Sequence, residues 1–374
     1  MALTITPVGD DKRALKEFLA VPYRIYRDDP QYVYPLLDDM KHFHDKKKNP
    51  FYRHAVSELW LARRDDEVVG RIGACVDSYN NDHHDEKVGF FGFYEVDDDP
   101  AAAQGMLETA AGWIAAQGMD TMRGPGCFTS NHDWYGLQVD GRFNRPVIGM
   151  PYNPRYYARH FADFGLVGAK DLYAWEIKTG GEFPEKMQRL IDRILNRPGL
   201  VIRSFDMKNF MAEASLVRTL YNKCWSSNWG FIPLDDEDFA YMAKDMKSMV
   251  DPAFLLVAEY EGEPIGFALT IPDFNQALQP LKGRLLPFGW LKFLLAKRKI
   301  NFARTILMGV LPEYRRLGVD MALVYRTMVA GFANGITTGE CSWILADNAP
   351  MNRILEGYGA DMYKTYRIYE KQVG

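Results

Sequence analysis

Cysteine is scarce in this chain, and the four present, Cys75, Cys127, Cys224 and Cys341, never form a C-x-x-C pair. That spacing excludes a zinc knuckle and a disulfide framework and suits a reducing cytoplasm. A basic surplus is also missing: the formal net charge is −4, so no DNA partner is expected. No run of about 18 apolar residues occurs, and residues 1–10 lack the basic start and apolar stretch of a secretory signal, so the chain is expected not to span a membrane. Two absences are local. All seven histidines, His42, His44, His54, His83, His84, His132 and His160, fall in the first half, and no acid occurs between Asp273 and Glu313.

What is present is enough chain for two cores. Of 374 residues, 47% are hydrophobic and 25% charged, which suits two globular domains of about 150 to 200 residues each. The segment Leu61-Ala62-Arg63-Arg64-Asp65-Asp66-Glu67-Val68-Val69-Gly70 has a counterpart in Val257-Ala258-Glu259-Tyr260-Glu261-Gly262-Glu263-Pro264-Ile265-Gly266. Each reads strand, acidic turn, strand, within β-rich runs at 57–76 and 253–271. A second match follows at similar spacing. Asn153-Pro154, a helical stretch, Phe164-Gly165 and a strand at 170–176 correspond to Asn348-Ala349-Pro350, a helical stretch, Tyr358-Gly359 and a strand at 364–370. The chain therefore reads as a duplicated α/β unit, residues 1–180 and 181–374, with the boundary near Gly180-Gly181.

The copies differ at one junction. In the second, an apolar strand at 306–310 runs through Pro312 into Glu313-Tyr314-Arg315-Arg316-Leu317-Gly318. The amides of 316–320 are expected to open a helix whose positive end favours an anion, with Gly318 permitting close approach and Arg315 and Arg316 supplying charge. The first copy has Asp97-Asp98-Asp99-Pro100 instead. That is a sound helix cap with proline at the first helical position, but it repels a phosphate. The second copy also carries an insertion, 275–301, where Leu285, Leu286, Phe288, Trp290, Leu291 and Leu294 stand among basic residues. Through 282–299 such a segment lies on an anionic membrane surface or lines a lipid tunnel; the competing reading is a core helix with solvated ends.

The order of elements, together with Val310-Leu311-Pro312-Glu313-Tyr314-Arg315-Arg316-Leu317-Gly318, resembles the acyl-CoA-dependent N-acyltransferases of the GNAT superfamily. The second half carries the resemblance in sequence and the first by topology. It implies an α/β (α+β) fold of two tandem GNAT-like domains, each a mixed twisted sheet flanked by helices, the first without a pyrophosphate loop. It also implies acyl-CoA as a co-substrate, with no permanently bound cofactor and no metal. The coenzyme would be held by Met308, Gly309 and Val310, by Arg315, Arg316, Leu317, Gly318 and Val319 of the family's R-x-x-G-x-G/A turn, and by Asn348. Two positions depart from the family pattern: Asp320 stands where glycine or alanine is usual, and Leu355 where many members have a tyrosine that protonates the leaving thiolate. Val21-Pro22-Tyr23-Arg24-Ile25-Tyr26 and Met150-Pro151-Tyr152-Asn153-Pro154 place the chain in a two-domain bacterial branch. Within that branch the functional resemblance is to the bacterial ceramide synthases. It implies transfer of a long acyl chain to the amine of a sphingoid base, by a cytoplasmic protein peripheral at the inner membrane.

Aminolysis of a thioester needs a base for the ammonium, donors for the oxyanion and an acid for the thiolate. The loop at 124–136 is dense in hydrogen-bonding side chains. Within it His132 is the candidate base and Asp133 its orienting carboxylate, while Tyr135 or Tyr152 is the proton donor that replaces the missing tyrosine. A structural turn is the competing reading. Glu340 is the second-choice base if the second half works alone. His42 and His44, near three lysines at 46–48, read as a solvated basic face. Two other classes fit the same features: a non-catalytic acyl-CoA-binding regulator, and an aminoacyl or peptidyl transferase that uses charged tRNA and meets RNA through the basic insertion.

Overall fold

The computed structural model describes residues 2–128, 134–180, 185–247 and 250–374. The chain forms two compact units, one of Met1–Leu172, Leu278–Phe293 and Lys364–Gly374, the other of Tyr173–Ala277 and Leu294–Tyr363.

In chain order the first half contains β1 (Leu3–Pro7), α1 (Lys12–Ile25), α2 (Leu37–Phe43), β2 (Ala55–Arg64), β3 (Glu67–Asp77), α3 (Ser78–His84) and β4 (Val88–Val96). Then follow α4 (Pro100–Ala116), β5 (Thr121–Gly126), β6 (Leu137–Gly141), α5 (Tyr157–Phe164) and β7 (Val167–Lys178). The second half contains α6 (Glu185–Leu195), β8 (Leu200–Ser204), α7 (Phe210–Trp225), α8 (Asp236–Met246), β9 (Leu255–Tyr260) and β10 (Glu263–Pro272). The insertion holds α9 (Asn275–Leu278) and α10 (Gly289–Lys297). It is followed by β11 (Phe302–Val310), α11 (Val319–Ala333), β12 (Thr338–Leu345), α12 (Ala349–Gly357) and β13 (Asp361–Gln372).

Each unit is a mixed sheet flanked by helices. In the first the order is β1-β2-β3-β4-β5-β13, with β6 also on β13; β4 and β5 run parallel and the other pairs antiparallel. In the second, β8-β9-β10-β11-β12 is antiparallel except for the parallel pair β11–β12, and β7 adds beside β12. The two acidic turns close hairpins as the repeat predicts. Asp65 and Glu261 take positive φ of 53° and 52°, which matches the twist of a tight hairpin.

Alternation along the strands builds the cores. All nine residues of β4 are buried. Phe91 packs with Ile72, Met106, Leu107 and Ile114 under α4, while Phe90 and Phe93 pack with Phe18, Leu59 and Leu61 under α1. In the second unit Ile194, Ala258, Ile265, Val319 and Leu323 form the core under α6 and α11, and Leu220, Tyr221, Cys224 and Phe267 the core under α7.

The acidic junction is sound for a reason its composition hides, since each aspartate has an internal cation. Arg24 meets Asp97 at 2.7 Å, Arg64 grips Asp99 at 2.6 and 2.8 Å, and Arg159 meets Asp98. Asp99 also caps α4 through the amides of Ala101 and Ala102, with Pro100 first in the helix.

Two expectations need correction. His44 is buried against Phe18, Phe43 and Phe93, and burial pushes its pKa down to about 3, so it is a core residue and no part of a basic surface. The insertion is no core helix, because α10 contributes no buried residue.

Candidate active site

In the second unit the parallel pair β11–β12 is hydrogen-bonded only over Phe302↔Thr338 to Thr305↔Cys341, although β11 continues to Val310 and β12 to Leu345. The strands part beyond that point and leave an open edge. On the other side of β11, Gly309 pairs with Phe267 and the Leu311 amide donates to the Ile265 carbonyl. By the alternation of an antiparallel ladder, Met308 and Val310 therefore turn their main-chain groups toward the parted edge. Their carbonyls are already capped: the Trp225 indole N–H donates to Met308 at 3.2 Å, and Arg315 Nε to Val310 at 3.2 Å. Arg315 Nη2 also donates to the Cys224 carbonyl at 2.9 Å, so its guanidinium braces the end of α7.

The strand leads into the basic turn. The helix starts later than the sequence suggests, since Pro312–Leu317 is a 3-10 turn and α11 opens at Val319. Gly318 joins the two with φ 74°, a left-handed backbone that favours glycine, and a Cβ there would lie 2.7 Å from Ile194 Cδ1, whose side-chain tip would have to move. Arg316 is exposed. Asp320, the departure from the family pattern, turns its carboxylate onto the helix start, where Oδ1 accepts the Met321 amide at 2.9 Å. Burial pushes its carboxyl up, against the lowering effect of the Met321 amide and its own. Asn348 caps α12 by accepting the Met351 amide at 3.3 Å.

Where β11 and β12 are still paired, a polar cluster is sealed into the unit. Glu340 is 1% exposed and accepts from the hydroxyls of Tyr363 and Ser342. Arg304, the register partner of Glu340 and also 1% exposed, donates to Ser342 Oγ at 3.0 Å and to its carbonyl at 3.1 Å, and faces the Trp343 ring at 5.2 Å. A buried carboxylate that accepts two hydroxyls beside a guanidinium is a preorganised polar network held away from bulk water. The sequence singled out Glu340 but not its partners, because Arg304 is its register partner on β11 and Tyr363 comes from β13, which is not adjacent to β12. Leu355 is fully buried against Trp175 and Ile344, so that position holds core in place of a proton donor.

A small cavity of about 30 Å³ lies between β10–β12 and α11, lined by Thr270, Thr305, Met308, Thr327 and Cys341 among others. It has room for a water molecule or two but not for an acyl chain. The unpartnered Thr327 Oγ1 would suit such a water.

In the first unit β5 ends at Gly126 while its parallel partner β4 continues to Val96. Pairing of β4 with β5 ends at Gly92↔Gly126, where a Cβ on Gly92 would lie 1.7 Å from the Gly126 carbonyl oxygen. Beyond it, the Val96 amide and carbonyl are taken by the hydroxyls of Tyr157 and Tyr156, at 2.9 and 3.0 Å. The strand end that would receive a ligand is thus filled by α5 and its preceding residue. His132 and Asp133 lie outside the described residues. Tyr135 is buried in this unit on Gly126, and burial pushes its hydroxyl pKa up, with Arg123 opposing. Tyr152 donates to Asp29 at 2.6 Å; burial and that hydrogen bond raise its pKa. No local signal marks the buried carboxylate Glu95, which accepts from Tyr26 and Tyr157 at 2.8 and 2.9 Å. Among the described residues no cluster of His, Cys, Asp and Glu is arranged to hold a metal ion.

No protein-family model matches the chain. Protein YghO of Escherichia coli K12 is 34% identical over 370 residues, 97% of this chain and 94% of that protein. The bacterial ceramide synthase of Caulobacter vibrioides is 34% identical over 376 residues, 99% of this chain and 97% of that protein. Among solved structures, the tandem GNAT protein from the clavulanic acid biosynthesis pathway superposes with a TM-score of 0.59 at 12% identity, covering 100% of this chain and 99% of the other. The GCN5-related N-acetyltransferase of Sphaerobacter thermophilus gives 0.53 at 12% identity, covering 99% and 96%. Those identities speak for the fold, while the two full-length relatives speak for the family. With a parted parallel pair leading into a glycine-hinged turn, the chain has the tandem GNAT fold, and it belongs to the family of protein YghO and bacterial ceramide synthase.

Proposed function

We propose that this protein transfers a long acyl chain from acyl-CoA to the primary amine of a sphingoid base. The observation that carries the coenzyme half is the parted edge of β11, which leads through Gly318 into α11. It offers the main-chain amides of Met308 and Val310 to the pantetheine arm and the turn at 317–319, with Arg316, to the diphosphate, while Arg315 braces the strand end. Asn348, at the head of α12, faces the coenzyme arm in this reading. The 34% identity to a bacterial ceramide synthase over nearly the full length supports the choice of acceptor.

Within the second unit Glu340 is the favoured base, since it and Tyr363 share a buried contact in the last paired stretch before the strands part. The attacking amine loses its proton toward Glu340, and Tyr363 returns one to the thiolate of coenzyme A. His132, oriented by Asp133 and with Tyr135 or Tyr152 as acid, is the alternative base. The division into 1–180 and 181–374 gives these roles to two copies of one ancestral unit, of which only the second keeps an anion turn.

The test is direct. Purified protein is incubated with acyl-CoA of short to long chain and a sphingoid base, and both free thiol and N-acyl product are measured by mass spectrometry. Equal amounts of the two with long-chain donors support the reading. Thiol release with amino acids or polyamines but not with sphingoid bases would reassign the acceptor, and no thiol release from any donor would end the enzymatic reading.

A further inference from the structure

The insertion presents an apolar surface for which the fold supplies no cover. Leu286 and Phe288 are 75% and 71% exposed, and Trp290, Leu291, Leu294 and Leu295 are 47–59% exposed on α10. A helix that is apolar all round is ordinarily buried. This one turns Gly289, Phe293 and Ala296 inward and leaves a stripe at i, i+1, i+4 and i+5 outside. The loop is not slack. In the first unit the Tyr23 hydroxyl donates to the Lys282 carbonyl at 2.9 Å, the Gly283 carbonyl accepts the Leu37 amide at 3.2 Å, and Gln279 Nε2 donates to the Pro30 carbonyl at 2.6 Å. Gly283 is wedged there, since a Cβ would lie 2.2 Å from the Tyr23 hydroxyl. The base of the insertion is clamped while its tip is offered outward.

The rim identifies the occupant. Lys282, Arg284, Lys292, Arg298 and Lys299 are all exposed, and the sequence from 274 to 312 contains no acid. We propose that the 285–295 surface is an interfacial anchor that inserts Leu286, Phe288 and Trp290 among the acyl chains of an anionic phospholipid bilayer, with the basic rim at the headgroups. A second copy of the chain fits poorly. A two-fold contact through this patch would set the basic rim against itself. The inference extends the lipid-acceptor reading but stands on the surface alone, since binding to a bilayer needs no turnover.

The experiment is flotation of the full chain with vesicles of phosphatidylcholine alone and of phosphatidylcholine mixed with phosphatidylglycerol. The wild type is expected to float with the anionic vesicles and far less with the neutral ones. Lys292→Glu with Arg298→Glu should lower affinity for the anionic vesicles by more than about tenfold, and Phe288→Ser with Trp290→Ser should lower it comparably. Both variants should keep thiol release with a detergent-dispersed amine, which separates this inference from the enzymatic one and shows that they fold. Equal binding to both vesicle types, binding unchanged in both variants, or no binding would overturn it. So would a lipid-free dimer that the Phe288/Trp290 variant dissolves, which would assign the patch to a second copy.

Discussion

The carboxylate of Asp320 accepts the amide of Met321 at 2.9 Å, so the helix start that would receive a diphosphate already carries a negative group of its own chain. Burial holds that carboxyl above its ordinary range. An anion arriving beside it favours the protonated form, so binding takes up a proton and coenzyme affinity falls as pH rises through the Asp320 titration. Asp320→Asn accepts the same amide without the charge. It should tighten coenzyme A by about tenfold at neutral pH, on the order of one charge–charge contact near a surface, and flatten the pH dependence. Calorimetric titration from acid to neutral pH checks this; a variant with wild-type affinity throughout would refute it.

Gly318 is fixed twice, by φ 74° and by the approach of Ile194. Gly318→Ala should cost about 1–2 kcal/mol of stability from the left-handed backbone alone, with the contact to Ile194 adding to it. Ile194→Ala in the same chain should recover none of the backbone part. Urea unfolding of the two chains gives the answer, and a stability loss wholly removed by the second substitution would show that the backbone is not strained.

Glu340→Gln keeps the shape of the buried cluster and removes the base. Turnover should fall by at least about a hundredfold, the range for loss of a general base, with coenzyme affinity unchanged. Tyr363→Phe should fall less. His132→Gln is the comparison: if it falls that far while Glu340→Gln does not, the base lies in the loop of the first unit.

His44 bears on acid stability. Its folded pKa is depressed from 6.5 to about 3, so between those values the unfolded chain binds the extra proton. Stability is therefore lost as pH falls below about 6.5, by up to about 1.4 kcal/mol per unit. His44→Phe, matched to its aromatic neighbours, should remove that slope in urea melts, and an unaltered slope would place the acid lability elsewhere.

The fold was legible because its punctuation is local. The acidic hairpin turns at Asp65 and Glu261, the cap at Asp99 and the glycine at 318 are local signals, set by φ and by hydrogen bonds within a few residues. The site was legible only in its backbone. Arg315 promised a phosphate ligand and instead braces Val310 and Cys224, because the end of α7 lies within reach only once the sheet has formed. The partners of Glu340 come from other strands, Arg304 across the parallel pair and Tyr363 from β13, and no window of sequence places them together. His44 misled for the opposite reason: three lysines beside it describe the loop, while its ring belongs to the core.

The central claim is that acyl-CoA is held by the second unit and not the first. Hydrogen–deuterium exchange of the full chain with and without palmitoyl-CoA tests it most directly. The account predicts protection in peptides covering Met308 to Met321 and no change in peptides covering Phe93 to Ala103. Protection confined to the Asp97–Pro100 junction, or absent from both, would contradict it.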